Sequence, residues 1–593
     1  MTAQLATHDK PFQAITLDTL ASQLGQWSPD DKNQLYAIVD MGSNGIRFSI
    51  TSLAPPTTRL LMPLYSTRAA KSLYSALEKL PDGKQAFPSE TIDSVATIIK
   101  RFVAIADKYN LPRSNFLILG TAASRDATNA GSLLSAISEA ASNQARVHIL
   151  DPAVETLFGA VMGSRSCLTN VKGGLFLDLG GGSVQMTWVD TSLPDYEIQA
   201  ALYGQSLPFG AAKVIGVLDK AGDKDRHAEV ANINAGVRNA FLALCSKFPK
   251  LEAAHQQGKD APIDLYMCGG GFRGYGSMLK HMDPICPYPI SSINTYSVPG
   301  TLFRKTKEMR EENERYEGKI FGLSKSRRQQ FPAILAVVEA LIDAVPHIGR
   351  VTFCAGSNRQ GILMMKLPRD LRESNPLHML AQVTLDEQPL FETLIRLFES
   401  ALPDNLDAQM PTIFNLGLGP LFVREIWSNM GFSSDTNSSF ALNSAVTRNP
   451  ECPGLTHVAR AILGLAVCAR WEASLSPADA LLYKGLCGIA DSHCKHASFW
   501  ALFSGVTANI IAFIFPRMPQ PAALNKAISF HATLDTSHKH DKKKITLNIN
   551  VDAEYLIGID DETLDKLTHS LQSLLNKKDD HQSCKVTVCK KNR

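Results

Sequence analysis

The stretch AIVDMGSNGIRFSI, Ala37–Ile50, decides the fold. An apolar run ends on one carboxylate, Asp40. A Gly-Ser-Asn-Gly turn follows, and apolar and polar residues then alternate from Ile46. That pattern is strand, tight turn, strand. Glycines in the turn permit positive φ and let main-chain N–H groups approach an anion without a Cβ in the way. A carboxylate beside such an anion repels it unless a cation stands between them. Asp40 is therefore expected to hold a divalent cation, and Gly42, Ser43 and Asn44 to cradle phosphate. Taken alone, Asp-Met-Gly also serves as an ordinary hairpin turn, because Asp and Gly are common turn residues.

The pattern occurs twice. DMGSNGIRFSI, from Asp40, aligns with DLGGGSVQMTW, from Asp178. Each copy reads Asp, apolar, Gly, three small or polar residues, then an alternating strand. Recurrence at domain-scale distance predicts two related half-domains facing each other across a cleft. Gly180, Gly181, Gly182 and Ser183 become a second phosphate loop, and Asp178 a second metal ligand.

Composition sets the frame for these loops. A chain of 593 residues exceeds what one core supports, so roughly two to four domains are expected. With 45% hydrophobic and 20% charged residues, the chain has a globular rather than a disordered or membrane composition. A net charge of +3 does not argue for nucleic acid or an anionic membrane as main partner, so neither is expected. Eleven cysteines without a CxxC pair, most inside apolar runs, fit reduced buried thiols and a cytoplasmic location. The N-terminus shows no secretory pattern. Phe499–Phe515 approaches membrane-spanning length but carries Ser504, Thr507 and Asn509 and stops at Pro516, so a buried helix is expected. The cluster His493, Cys494, His496 lacks zinc-site spacing, and the basic run His538–Lys544 reads as a solvated hairpin loop.

From Tyr36 to about Lys366, short apolar runs alternate with helical patterns, an α/β signature. Strands are predicted at Tyr36–Val39, Ile46–Thr51, Phe116–Leu119, Val147–Leu150, Leu175–Leu177, Val184–Val189, Leu265–Cys268 and Val351–Cys354, and helices at Glu90–Tyr109 and Pro332–Val345. Long helices follow, including Leu455–Ala473 and Ser498–Phe515. Two alternating runs, a helix near Asp561–Leu575 and a last strand near Cys584–Cys589 close the chain. The expected organisation is an N-terminal extension (1–33), two half-domains (34–170 and 171–366), a helical domain (367–520) and a small α+β module (521–593).

The two hairpins resemble the phosphate motifs of the sugar kinase, heat-shock protein and actin superfamily. The Asp-x-Gly-Ser-Asn-x-x-Arg form, ending at Arg47, resembles the exopolyphosphatase and guanosine pentaphosphate phosphohydrolase family, Ppx/GppA. Further similar segments are GTAASRDATNA from Gly120, DPAVETLFGAV from Asp151, CGGGFRGYG from Cys268, GLSKSRRQQFPA from Gly322 and GSNRQGIL from Gly356. Together they span about Gln34–Lys366. The resemblance implies a duplicated actin-like, ribonuclease H-like ATPase core. It also implies Mg2+ at Asp40 and Asp178 and ATP or another nucleoside polyphosphate as ligand.

Within these segments, Thr121 follows a strand end and is placed to bond phosphate, with Arg125 to pair with it. An N-cap and a surface cation are the plainer alternatives. Glu155 lies on the first helical turn after a strand, where it also complements the helix dipole. The resemblance makes Glu155 the general base that activates the attacking water. Gly269, Gly270 and Gly271 match the adenosine-side loop, and close helix packing explains them equally well.

Three departures stand out. The family's hydrolases carry two adjacent acids where this chain has Val154-Glu155. Gln185 and Gln360 stand where acids are usual. Loss of an anionic ligand weakens Mg2+ binding and the charge compensation of a leaving phosphate, so binding is expected to outlast turnover. These substitutions and the tail resemble the fungal retrograde regulation protein 2 branch. That resemblance implies a cytoplasmic regulator that relays mitochondrial dysfunction to nuclear transcription by a nucleotide-controlled contact with a protein repressor of the pathway. A homodimer is left open. The alternatives are an active Mg2+-dependent phosphoanhydride hydrolase and, more distantly, a sugar or acetate kinase. In the helical part, His457 is expected to be a core or interfacial histidine.

Overall fold

A computed structural model describes residues 12–42, 45–142, 145–169, 171–220, 222–472, 474–535, 543–576 and 582–591. They form two compact units. One runs to Met282 and resumes over Ile293–Ser374; the other comprises Asp283–Ser292 and the chain from Asn375 onward.

The first unit contains two six-stranded sheets. Strands β1 (Phe12–Ile15), β2 (Leu35–Gly42), β3 (Gly45–Ser52), β4 (Met62–Ala69), β5 (Phe116–Gly120) and β6 (Arg146–Leu150) make the first, in the order β1-β6-β5-β2-β3-β4. Strands β7 (Gly173–Leu179), β8 (Val184–Asp190), β9 (Gln205–Leu207), β10 (Ile263–Cys268), β11 (Tyr296–Pro299) and β12 (Ile348–Phe353) make the second, in the order β9-β8-β7-β10-β12-β11. In each sheet an antiparallel hairpin is extended by parallel strands: β2 pairs antiparallel with β3 and parallel with β5, and β7 pairs antiparallel with β8 and parallel with β10. The same polarity in the same order twice is a duplicated fold. The stretch before residue 34 is not wholly an extension, because Phe12–Ile15 pairs in parallel with Val147–Leu150.

Strand parity explains where the two aspartates end up, since alternate residues face opposite sides of a sheet. On β2, Ala37, Val39 and Met41 enter a core shared with the helices Ser89–Lys108 and Ala130–Ala140. Tyr36 and Ile38 enter a second core. That second core also takes Phe176 from β7, Leu117 and Leu119 from β5, and Phe158, Val161, Cys268, Cys354 and Ile362 from elements of both halves. Asp40 continues the parity of Tyr36 and Ile38, and Asp178 that of Phe176. Both strands therefore carry a carboxylate near their C-terminal end, on the side where the halves meet.

Two close-packed helical segments line that junction. Pro152–Glu155 begins as α-helix and continues over Thr156–Gly163 as π-helix. A Cβ at Gly361, on the helix Asn358–Lys366, would overlap the Phe158 carbonyl, and one at Gly356 would overlap the Gly163 carbonyl.

In the second unit, the helix Ala497–Ile514 is apolar and long enough to cross a membrane by length and composition, and 78% of it is buried. His457 is buried, with Nδ1 2.8 Å from the hydroxyl of Tyr288. The preceding long helix ends at His493. A three-stranded sheet follows: β13 (Ile528–Asp535) pairs antiparallel with β14 (Lys543–Asp552), which pairs in parallel with β15 (Gln582–Lys591). Lys543 and Lys544, expected in a loop, begin β14; the rest of that basic run lies outside the described residues.

Candidate phosphate and metal site

Asp40 is only 6% exposed, and its Oδ1 has no hydrogen-bond partner. In register it faces Arg47 on β3 and Leu119 on β5. Asp178 faces Gln185 on β8 and Cys268 on β10. Its carboxylate is flanked by two glycines that leave it room. A Cβ at Gly159 would lie 2.5 Å from its Oδ2, and one at Gly269 (φ +83°) would overlap its Oδ1. Burial pushes the Asp178 carboxyl up to about 6; Asp40 adds to the rise, while Arg273 and Arg47 oppose it.

Glu155 stands at the end of the first helical turn after β6, where Asp151 caps the turn by accepting from the N–H of Ala153. Its pKa is raised, first by burial; Arg125 pulls it down, and Asp178 and Asp40 push it up. The three carboxylates thus share one electrostatic neighbourhood. Arg125 Nη1 donates to Glu155 Oε2 at 2.9 Å and to the Leu150 carbonyl at 2.5 Å. Arg125 is thereby turned toward the carboxylate. Thr121 donates its hydroxyl hydrogen to the Met41 carbonyl at 3.1 Å, tying the end of β5 to the end of β2.

Among the described residues, no three His, Cys, Asp or Glu side chains converge to hold a metal ion. The donor set at the junction is a carboxylate pair with one unpartnered buried oxygen. Mg2+ keeps several waters and is commonly held by one or two carboxylates plus substrate phosphates, so the residues present fit it.

The second loop is rigidly braced. Ala211 N donates to the Gly180 carbonyl, and Ala212 N and Lys213 N to the Gly181 carbonyl, each at 3.0 Å. Gly210 makes this approach possible, because a Cβ there would overlap Gly181 and Gly182. Gly180 N donates to Ser183 O at 3.0 Å. Gln185 Nε2 donates to Ser183 Oγ at 2.8 Å and to Ser206 Oγ at 3.4 Å. Ser183 Oγ is thus an acceptor on its buried side, which leaves its hydrogen free for an anion. Of the third cluster, Gly269 and Gly271 allow the following helix to pack on Leu179, while Gly270 lies beside Arg327. Ser43 and Asn44 lie outside the described residues. Gly42 closes the first hairpin opposite Gly45.

Gln360 was expected to mark a missing acid of the metal site. It is not directed at the metal site; its Oε1 accepts from Ser357 N at 3.1 Å and Ser357 Oγ at 2.9 Å, in a capping box that starts the helix. A neutral amide performs that role as well as an acid does.

Sequence reasoning singled out Arg47 but assigned no role to three other arginines. Arg68 is the cross-strand neighbour of Arg47. Arg273 leaves the Gly269–Gly271 turn, with Nε 3.1 Å from Gly269 O and Nη1 3.0 Å from Ala355 O. Arg327 projects from the short helix Lys325–Gln329, which Arg328 fixes to the carbonyls of Gly318, Asn313 and Tyr316. Burial and mutual repulsion lower the pKa of Arg273 to about 9, with Arg47 and Arg327 as repelling neighbours. The pKa of Arg327 falls to about 10, with Arg47 and Arg68 as neighbours. Four guanidinium groups from separate segments are held together against their repulsion. The sequence signal was an arginine inside each of two quoted motifs, Arg273 in CGGGFRGYG and Arg327 in GLSKSRRQQFPA; Arg68 carried none, because only strand pairing brings it opposite Arg47.

The Ppx/GppA phosphatase family description matches residues 58–370, more than half of the chain. The chain belongs to the Ppx/GppA phosphatase family. Beyond the Ppx/GppA core, residues 375–591 match the RTG2 C-terminal domain. Retrograde regulation protein 2 of Saccharomyces cerevisiae is 31% identical over 458 residues, covering 75% of this chain and 74% of that protein. Among solved Ppx/GppA structures, an exopolyphosphatase from Cytophaga hutchinsonii has 21% identity and a TM-score of 0.43, covering 56% of this chain and 98% of that one. The Aquifex aeolicus PPX-GPPA enzyme has 16% identity and a TM-score of 0.40, covering 56% and 98%.

Proposed function

We propose that the junction between the two half-domains binds the phosphate chain of a nucleoside polyphosphate or inorganic polyphosphate together with Mg2+. In this reading the bound state controls a protein contact in cytoplasmic retrograde signalling. The carrying observation is the four-arginine cluster Arg47, Arg68, Arg273 and Arg327 beside the Asp40–Asp178 pair. A polyanion relieves the repulsion among the guanidinium groups, and Mg2+, when bound, offsets charge between the carboxylates and phosphate. Gly180–Gly182 and Ser183 offer donors from a braced loop. Because the arginines come from both half-domains, a ligand that bridges them favours one relative arrangement of the halves.

The signalling role follows from similarity to retrograde regulation protein 2 along three quarters of both chains. In that role the chain contacts a protein repressor of the pathway and relays mitochondrial dysfunction to transcription. Hydrolysis is the second reading, favoured by one observation: Glu155 is buried at the site, raised in pKa and oriented by Arg125. Against efficient turnover stands Gln185, whose amide is committed to Ser183.

The test is titration of the full chain with ATP, guanosine polyphosphates and polyphosphate in Mg2+, recording binding and phosphate release together. Binding without release is expected. Absence of binding by any of the three would sink the proposal, and release at ordinary enzyme rates that depends on Glu155 would establish the second reading.

A further inference from the structure

The helix Asn358–Lys366 begins at the half-domain junction with a capping box that commits Ser357 and Gln360 to each other. Asn358, between them, is 8% exposed, and its Oδ1 has no hydrogen-bond partner. Its surroundings show what that oxygen faces. The point where a Cβ on Gly159 would stand is 2.5 Å from Asp178 Oδ2 and 3.1 Å from Asn358 Oδ1. The two oxygens therefore border one small space that exists because residue 159 has no side chain. Two acceptor oxygens bordering one space repel each other, and leaving the buried Asn358 Oδ1 unmet costs about 1–3 kcal/mol. A cation, or a water bound to one, satisfies both at once.

We infer that Asn358 Oδ1 is a further oxygen of the cation site, joining Asp178 and Asp40 directly or through one water. This rests on the proposed Mg2+ site and adds to it a residue from the second half-domain's last helix. The chemistry suits a hard divalent cation, which takes carboxylate, carboxamide and water oxygens. Asn358 supplies an oxygen where, among the described residues, no third His, Cys, Asp or Glu side chain converges to hold the ion. It also connects the metal to the crossing helices, because Gly159 lies one turn beyond Glu155 and Gly361 packs on Phe158.

The test uses Mn2+ alone as probe on the full chain, with affinity read by spin resonance of the free ion and folding read by metal-free melting temperature. Asn358→Ala is expected to weaken Mn2+ binding by about 10-fold, the lower range for losing a supporting group at a metal site. Asn358→Asp, nearly isosteric and anionic, is expected to tighten it. Equal affinity in the alanine variant, or weaker binding in the aspartate variant, overturns the assignment while leaving the proposed ligand site standing. If the unaltered chain binds no Mn2+, the assignment and the metal part of the proposed function fall together. Should Asn358→Ala not fold, Asn358→Asp decides alone: tightening supports the assignment, and unchanged or weaker binding overturns it.

Discussion

Arg125 Nη1 and Glu155 Oε2 lie 2.9 Å apart, on side chains that are 21% and 10% exposed. The pair joins the turn after β5 to the turn after β6 and holds the one acid available as a base. Removing one member of a buried pair strands the other charge, at a cost of about 3 kcal/mol. Arg125→Met is therefore expected to lower thermal stability more than Glu155→Gln, which leaves a neutral hydrogen-bond partner. Melting temperatures in both variants equal to that of the unaltered chain would show the pair to be energetically idle.

Asp178 sets a pH dependence. Its carboxyl is raised from an ordinary 3.8 to about 6, so the fold favours the protonated form. The contribution is fully present below about 3.8 and is lost as pH rises through about 6, by on the order of 3 kcal/mol. Without metal, urea midpoints are expected to fall across that window. Asp178→Asn should abolish that fall, and added Mg2+ should reverse it above pH 6.

Gln185→Glu restores an acid at a fully paired position opposite Asp178. Without metal, a second buried carboxylate should destabilise the chain by about 1–3 kcal/mol. With Mg2+ the variant should gain more melting temperature than the unaltered chain. Differential scanning calorimetry with and without Mg2+ measures both, and an unchanged response to Mg2+ would remove Gln185 from any account of the metal site.

Arg327→Met takes one charge from a mutually repelling cluster. Affinity for ATP or polyphosphate should drop about 10-fold, the effect of roughly 1.4 kcal/mol, while stability without ligand stays level or rises. A structural arginine would show the opposite pairing, with stability lost and affinity kept.

Gly361→Ala places a methyl against the Phe158 carbonyl, where backbone cannot yield cheaply. An overpacking cost of about 1–3 kcal/mol or more is expected from chemical denaturation. Ala at Gly131, which meets nothing within 4 Å, is the matched control and should cost little.

Much of the first unit was legible because its signals are local. Seven of the eight predicted strands of the core fall within β2, β3, β5, β6, β7, β8 and β10, and the eighth, Val351–Cys354, overruns the end of β12 by one residue; apolar runs ending in Gly-rich turns need no tertiary information to be recognised. The strands Met62–Ala69, Gln205–Leu207 and Tyr296–Pro299 were not legible. They are edge strands, each held by a single neighbour; Met62–Ala69 and Gln205–Leu207 bury no side chain fully, and Tyr296–Pro299 is only four residues long. Phe12–Ile15 was missed for the same reason, its strand state coming from pairing with β6.

By itself, the sequence determined that two Asp-bearing strands with Gly-rich turns exist and that they recur at domain-scale distance. Alternation along β2 and β7 already put both carboxylates on the parity of core residues. Only the tertiary structure decided which chemistry surrounds them. Arg47, Arg68, Arg273 and Arg327 come from distant segments, and their convergence depends on how the halves pack. Gln185 and Gln360, alike in the sequence as missing acids, have different roles: one holds Ser183 in the phosphate loop, the other caps a helix. The physical reason is range. Strand and turn propensities act over a few residues, whereas burial, repulsion and unpartnered oxygens are set by groups that only folding brings together.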